Sequence, residues 1–379
     1  MSPVPAAPPE IVVDLAALRH NVRRLREVVG VPTMTVVKAD AYGHGMVEVA
    51  RAAREAGAEW LGVATVEEAV ALRAAGDEGR VLCWLHAPDQ TFVPALAADV
   101  EVTASSLEEL DRIARAAAEA GKVAAVQLKI DTGLSRNGAT ADAWPGLVAR
   151  ARAGEADGSW RITGIWSHFA CSDEPEHPAN AAQEQAFRDA LASAEAAGLR
   201  PEVRHLANSA AGILRPSSRF DLVRFGLASY GLDPAPGHTP DLGLVPAMTL
   251  RAPLVSAKPV PAGAGVSYGH TWIADTATTL GLVPLGYGDG IPRHASSTAQ
   301  VLVDGKRRSM RGRVCMDQFV VDLDGDLPGA GTDVVLFGPG TAGEPTAQDW
   351  ADAAGTISYE IVTRIGGRMT RMSRRYVDS

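Results

Sequence analysis

Eight short apolar runs alternating with helical stretches constrain this chain more than any other feature. They lie at 33–38, 60–64, 81–85, 100–103, 123–130, 162–168, 203–207 and 222–225. Short runs without an exposed polar face read as strands buried on both sides, which belong to parallel sheets. Helical segments separate them, at 46–56, 66–75, 141–152 and 179–197 among others. Asp14 is a cap for a helix with apolar face Leu15, Leu18, Val22, Leu25 and Val29, and Gly30 is its stop. Ser106 and Glu109 read as a capping box. Eight such units before residue 240 match a (β/α)8 barrel of the TIM type. A doubly wound open sheet is the alternative that a strand count leaves open.

After Pro240 the helical period fades. Strand-like pieces recur at 248–256, 278–284, 299–303, 318–322 and 333–337, with one late helix at 358–365. The expected organisation is therefore α/β: a barrel over residues 1–240, with 1–10 an extended arm, and a β-rich C-terminal domain over 241–379. The net charge of −9 carries no basic stripe, which argues against nucleic acid or an anionic membrane as partner. No apolar stretch approaches the roughly 18 residues of a membrane span. The first ten residues read as neither a signal nor a transit peptide. Cys83, Cys171 and Cys315 are widely spaced, which suits neither a disulfide framework nor a zinc set. Free thiols fit a reducing cytoplasm.

In a barrel the chemistry sits at the C-terminal ends of the strands. Lys38 ends the first run, Arg136 follows the fifth, His168 ends the sixth, Asn208 and Ser209 follow the seventh, and Arg224 lies in the eighth. Singly these are a solvated lysine or a core histidine. Together they converge on one rim. A rim lysine near Arg136 and Arg224 suits Schiff-base chemistry, because desolvation and neighbouring cations lower its pKa from about 10.4. The loop 207–212 opens a helix and, with Phe225-Gly226-Leu227, makes a barrel phosphate site. Pyridoxal 5′-phosphate fits both halves. Gly286-x-Gly288-x-Gly290 lacks the spacing of a dinucleotide fingerprint.

Val37-Lys38-Ala39-Asp40-Ala41-Tyr42-Gly43-His44-Gly45 closely resembles the cofactor-lysine signature of bacterial alanine racemases. Further resemblances are Ser167-His168-Phe169-Ala170, Ala207-Asn208-Ser209-Ala210-Ala211, Val223-Arg224-Phe225-Gly226, Val266-Ser267-Tyr268-Gly269 and Arg313-Val314-Cys315-Met316-Asp317-Gln318. The resemblance implies that Lys38 carries the cofactor and is one catalytic base. It makes Tyr268, offered by the partner subunit of a homodimer, the opposite base. It puts Arg224 on the pyridine nitrogen with His168 behind it, and Tyr42, Ser209, Gly226, Leu227 and Tyr359 around the phosphate. Arg136 then lies by the substrate carboxylate, Met316 and Asp317 of the partner line the substrate side, and Tyr287 stands at the entrance. Lys129 matches a position that is carbamylated in many members, where it orients Arg136. Ser135 and Asn137 depart from the glycine and aliphatic residue that many members carry beside that arginine. The activity implied is racemisation of alanine, supplying D-alanine for peptidoglycan. Alternatives are a racemase of serine or other amino acids and a non-catalytic cofactor-binding protein; residues 241–379 speak against the latter. A related decarboxylase is disfavoured because arginine, not an acid, faces the nitrogen.

Overall fold

The computed structural model of the chain describes residues 8–366 and 372–379. Eight parallel strands form the first sheet: Thr33–Val36, Trp60–Val63, Arg80–Cys83, Glu101–Ala104, Ala124–Lys129, Trp160–Trp166, Val203–His205 and Val223–Phe225. Each of the first six pairs with the next in the chain, and Thr33–Val36 also pairs with Val223–Phe225. Asp221 N–H donating to Arg204 O and Arg224 N–H donating to Ala207 O bring the last two strands together, which closes the barrel. The barrel reading, not the open sheet, is the one observed.

The helix Leu15–Val29 follows its sequence signals. Asp14 accepts from the amides of Ala16 and Ala17, and Gly30 adopts the left-handed conformation with its N–H on Arg26 O. Two local expectations are corrected. Ser106 Oγ accepts from Glu109 N–H, but the Glu109 carboxylate turns back to Ser105 N–H, one residue short of a reciprocal box. The helix expected at 141–152 is Trp144–Ala156, because Pro145 sits in its first turn, where a missing N–H costs nothing.

A second, six-stranded sheet runs in the order Lys306–Ser309, Gln300–Val303, Asp333–Phe337, Met248–Pro253, Glu10–Asp14, Ser373–Val377. The expected extended arm at 1–10 falls mostly outside the described residues. From Glu10 onward the chain is a strand, antiparallel to Met248–Pro253 and parallel to Ser373–Val377. Ile11 and Val13 point into the core, so the alternation is that of a packed strand. The piece expected as one strand at 248–256 is two. After Pro253 the chain changes sheets: Leu254 N–H reaches Thr332 O, and Val255 N–H reaches Leu282 O in the three-stranded sheet. The helix Ala347–Ala354, capped by Thr346 and Asp349, had no sequence expectation. Among the described residues no helix is long and apolar enough to cross a membrane.

Candidate active site

A cavity of about 1160 Å³ opens at the C-terminal ends of the barrel strands. It gathers ten of the residues singled out from the sequence: Lys38, Tyr42, Lys129, Arg136, His168, Ser209, Arg224, Gly226, Leu227 and Tyr359. Their sources are scattered along the chain; barrel closure is what brings them together.

Lys38 leaves the first barrel strand directly into an unusual turn. Ala39, Asp40, Ala41 and Tyr42 all have φ between 52 and 54°, a left-handed helical turn built from residues with side chains. Such a conformation costs about 1–2 kcal/mol per residue, so its surroundings must impose it. Glu68 holds one side: its Oε1 accepts from Ala39 N–H at 2.7 Å, and its Oε2 from Ala64 N–H at 2.8 Å and Thr65 N–H at 3.2 Å. The second sheet holds the other. Arg374 pairs with Asp40 at 2.8 Å and donates to Gly43 O. Gly43, at φ 82°, lies where a Cβ would stand 2.4 Å from Val362 O.

The cavity is rich in cations. Burial, then the positive charge of Arg136, lowers the Lys38 amine from its ordinary value, while Glu68 opposes this. Burial, then Arg224 and Arg136, pulls Lys129 down to about 8; its Nζ lies 4.4 Å from the centre of the Trp166 ring. Arg136 has no ion-pair partner among the described residues. Arg224 is buried and spends its outer nitrogens on fixed acceptors. Nη1 donates to His205 Nδ1 at 3.0 Å and His205 O at 3.3 Å; Nη2 donates to Ser167 O at 2.8 Å, His168 Nδ1 at 2.9 Å and Leu206 O at 3.1 Å. Its Nε–H has no partner among the described residues and is the donor left for a ligand. Burial pulls Arg224 to about 9, so it stays a cation at neutral pH. Burial and then Arg224 hold His168 and His205 well below the ordinary imidazole value, which keeps both rings neutral and able to accept from the guanidinium.

Across the mouth, Ser209 Oγ accepts from Gly226 N–H at 3.0 Å, and Asn208 caps the short helix Ser209–Leu214. Tyr42 and Tyr359 stand with ring centres 6.2 Å apart. Burial pushes the Tyr42 phenol far up and the Tyr359 phenol to about 12, so both keep their protons as donors. A Cβ on Gly226 would sit 2.4 Å from Tyr42 Oη, so only glycine leaves the Tyr42 hydroxyl in this concave wall. A concave set of hydroxyls beside a cationic cavity fits a phosphate, and the leftover Nε–H of Arg224 fits an aromatic ring nitrogen that accepts. The residues therefore fit pyridoxal phosphate. Among the described residues no group of ligand side chains could hold a metal ion.

Tyr268, Tyr287, Met316 and Asp317 do not line this cavity. They lie in the second domain, where Tyr268 is 70% exposed and Met316 and Tyr287 are exposed as well. Backbone bonds from Tyr287 N–H to Cys315 O and Gly288 N–H to Met316 O, and a bond from Ser267 Oγ to Arg313 O, hold their segments together. Asn137 is tied by Ser105 Oγ at 2.9 Å. Sequence reasoning missed Glu68, His205 and Trp166 as parts of the site. Thr65-x-x-Glu68 carried a readable signal, a capping box whose glutamate also reaches the lysine turn.

Comparisons with known proteins span nearly the whole chain. Residues 13–234 match the family model for the alanine racemase N-terminal domain, and residues 247–373 the model for the C-terminal domain. The alanine racemase of Streptomyces coelicolor is 57% identical over 368 residues, covering 95% of this chain and 94% of that one. That of Mycolicibacterium smegmatis is 52% identical over 372 residues, covering 97% and 95%. The crystal structure of alanine racemase from D-cycloserine-producing Streptomyces lavendulae superposes with a TM-score of 0.96 at 54% identity, covering 100% of this chain and 98% of that chain. With a barrel, a β-rich second domain and matches to both halves, this chain belongs to the alanine racemase family.

Proposed function

We propose that this racemase interconverts L- and D-alanine with pyridoxal 5′-phosphate, in a homodimer whose sites are shared between subunits, and so supplies D-alanine for peptidoglycan. The observation that carries the reading is the set of basic side chains, Lys38, Lys129, Arg136 and Arg224, around one cavity, none of them in a direct ion pair among the described residues. Such a cavity suits a ligand pair bearing a phosphate and a carboxylate. Tyr42, Ser209, Gly226, Leu227 and Tyr359 would hold the phosphate, Arg224 with His168 behind it the ring nitrogen, and Lys38 the carbonyl carbon. When bound, the cofactor supplies the electron sink that makes an amino acid's α-proton removable.

The chain's residues do the rest. The lowered basicity of Lys38 leaves a larger share of neutral amine to take a proton from one face of the α-carbon. The Tyr268 hydroxyl of the partner subunit returns one from the other face. Arg136 meets the substrate carboxylate, Met316 and Asp317 of the partner subunit line the substrate side, and the partner's Tyr287 stands at the entrance. Arg224 can donate but not accept. A ring nitrogen held by it would stay unprotonated and draw electrons less strongly, which would favour return of the proton over side reactions.

Chiral analysis after incubation with pyridoxal phosphate, with L-alanine beside L-serine, L-lysine and L-arginine, tests the reading. D-alanine should form fastest and should vanish in Lys38→Ala. Faster turnover of serine would overturn the substrate assignment, and racemisation surviving in Lys38→Ala would overturn the role of the lysine.

A further inference from the structure

A line of polar side chains crosses the barrel interior beneath Arg224, and the site described above uses none of it beyond His205. Glu101, on the fourth barrel strand, is buried. Its Oε1 accepts from Arg80 Nε at 2.7 Å; its Oε2 accepts from Thr163 Oγ1 at 2.5 Å and Gln127 Nε2 at 3.0 Å. Gln127 Oε1 faces His205 Nε2 at 2.7 Å, and His205 Nδ1 faces Arg224 Nη1. The Trp166 ring lies parallel to the His205 ring, with centres 5.6 Å apart.

The chemistry of the donors fixes every proton along this line. An ionised carboxylate only accepts, so Gln127 must turn its NH₂ to Glu101 and its oxygen to His205. His205 then carries its proton on Nε2 and offers the Nδ1 lone pair to Arg224, which only donates. Arg224 touches no carboxylate among the described residues, so Glu101 is the nearest anion along its hydrogen-bonded line. Space for the line is also built in. A Cβ on Gly164 would lie 2.7 Å from Gln127 Cδ and Oε1, so glycine interrupts a barrel strand where Gln127 must pass. A buried carboxylate adds little to net stability, and Glu101 and Gln127 do not reach the cavity, so interior packing alone explains them poorly.

We propose that Glu101, ion-paired with Arg80, fixes which way the Gln127 amide faces, and that Gln127 is the positioning residue that sets the His205 tautomer opposite Arg224. The consequence for catalysis rests on the function proposed above; the proton arrangement does not. In Glu101→Gln, Arg80 still demands an oxygen at Oε1, so the new NH₂ faces Gln127. Gln127 must then flip, and His205 is pushed toward the tautomer that cannot accept from Arg224.

The test is ¹⁵N-histidine NMR of the holoenzyme, combined with alanine kinetics, for Glu101→Gln, Gln127→Leu and the double variant. Native protein should show His205 protonated at Nε2, and Glu101→Gln should lose that signature. kcat should fall about tenfold, the worth of one hydrogen bond to a charged group, with KM nearly unchanged. The double variant should be no worse than Gln127→Leu alone, because the line is already cut. A Glu101→Gln protein with native melting, native His205 nitrogens and native kcat would overturn the proposal, as would two losses that simply multiply. Should Gln127→Leu fail to fold, Glu101→Gln decides alone. Failure of the native enzyme to racemise alanine would overturn the proposed function, while the His205 spectrum would still judge the proton arrangement.

Discussion

At the scale of single residues, buried imidazoles set how this protein meets acid. His44 donates from Nδ1 to the carbonyls of Ala41 and Tyr42, packs with its ring tilted against Tyr230, and is pulled by burial to about 4. His168 and His205 are also held well below the ordinary value, for the same first cause. All three bind protons more readily in the unfolded chain. Their contribution is therefore complete above about pH 6.5 and is lost as pH falls through the folded values. For His44 alone the loss amounts to about 3 kcal/mol once pH is below 4. Urea unfolding should show stability dropping between pH 7 and pH 5, and His44→Phe, which keeps a ring against Tyr230, should flatten the slope. A pH-independent unfolding free energy would contradict this. Lys129 is the second titrating residue of consequence. At about 8, a good share of its amine is neutral near pH 7.5, the form that reacts with carbon dioxide. A carbamate there would put a negative charge between Arg136 and Arg224. ¹³C NMR in ¹³C-bicarbonate should show a carbamate signal that Lys129→Ala lacks; a bare amine in a crystal grown with bicarbonate would refute it.

At the scale of elements, the left-handed turn at 39–42 is the part most at odds with intrinsic preference. Four residues with side chains hold a conformation that glycine would adopt without penalty. Ala39 is exposed, so Ala39→Gly removes strain without opening a cavity, and it should stabilise the protein by up to about 1 kcal/mol. Glu68→Ala should do the reverse and cost about 2 kcal/mol, because three amides lose a charged acceptor. Equal urea midpoints for both variants and the native chain would show that the turn is not under strain. This turn also marks the limit of what the sequence disclosed. The barrel strands were legible because full burial leaves uninterrupted apolar runs, and the residues around the cavity mouth followed from where those runs end. Ala39 to Tyr42 carries no glycine to announce positive φ, since tertiary clamps impose it. Glu101 and Gln127 were hidden for a related reason: a polar residue inside a strand looks like its solvent face until the barrel closes around it. Glu10–Asp14 was hidden because its alternation is short and follows a proline-rich stretch.

At the scale of the whole molecule, the function proposed above makes one chain the holder of two incomplete halves of a site. The barrel presents Lys38 in a cavity, while Tyr268, Tyr287 and Met316 are exposed on the second domain away from it. Sharing between subunits makes a quantitative prediction. Lys38→Ala and Tyr268→Ala homodimers should each be inactive, but random co-assembly of the two should restore about a quarter of native activity, since half the dimers are mixed and each holds one intact site. No recovery from a preparation proven to contain mixed dimers would place both bases in the same chain. The strand Glu10–Asp14 has a consequence for biosynthesis. Glu10 pairs with Arg251, 241 residues on, and with Arg375, 365 residues on. On the ribosome this strand emerges before either neighbour and waits for both, the second of them 365 residues behind it. Throughout that wait Ile11 and Val13 have no sheet to enter, which makes this segment the natural hold for a chaperone on the nascent chain.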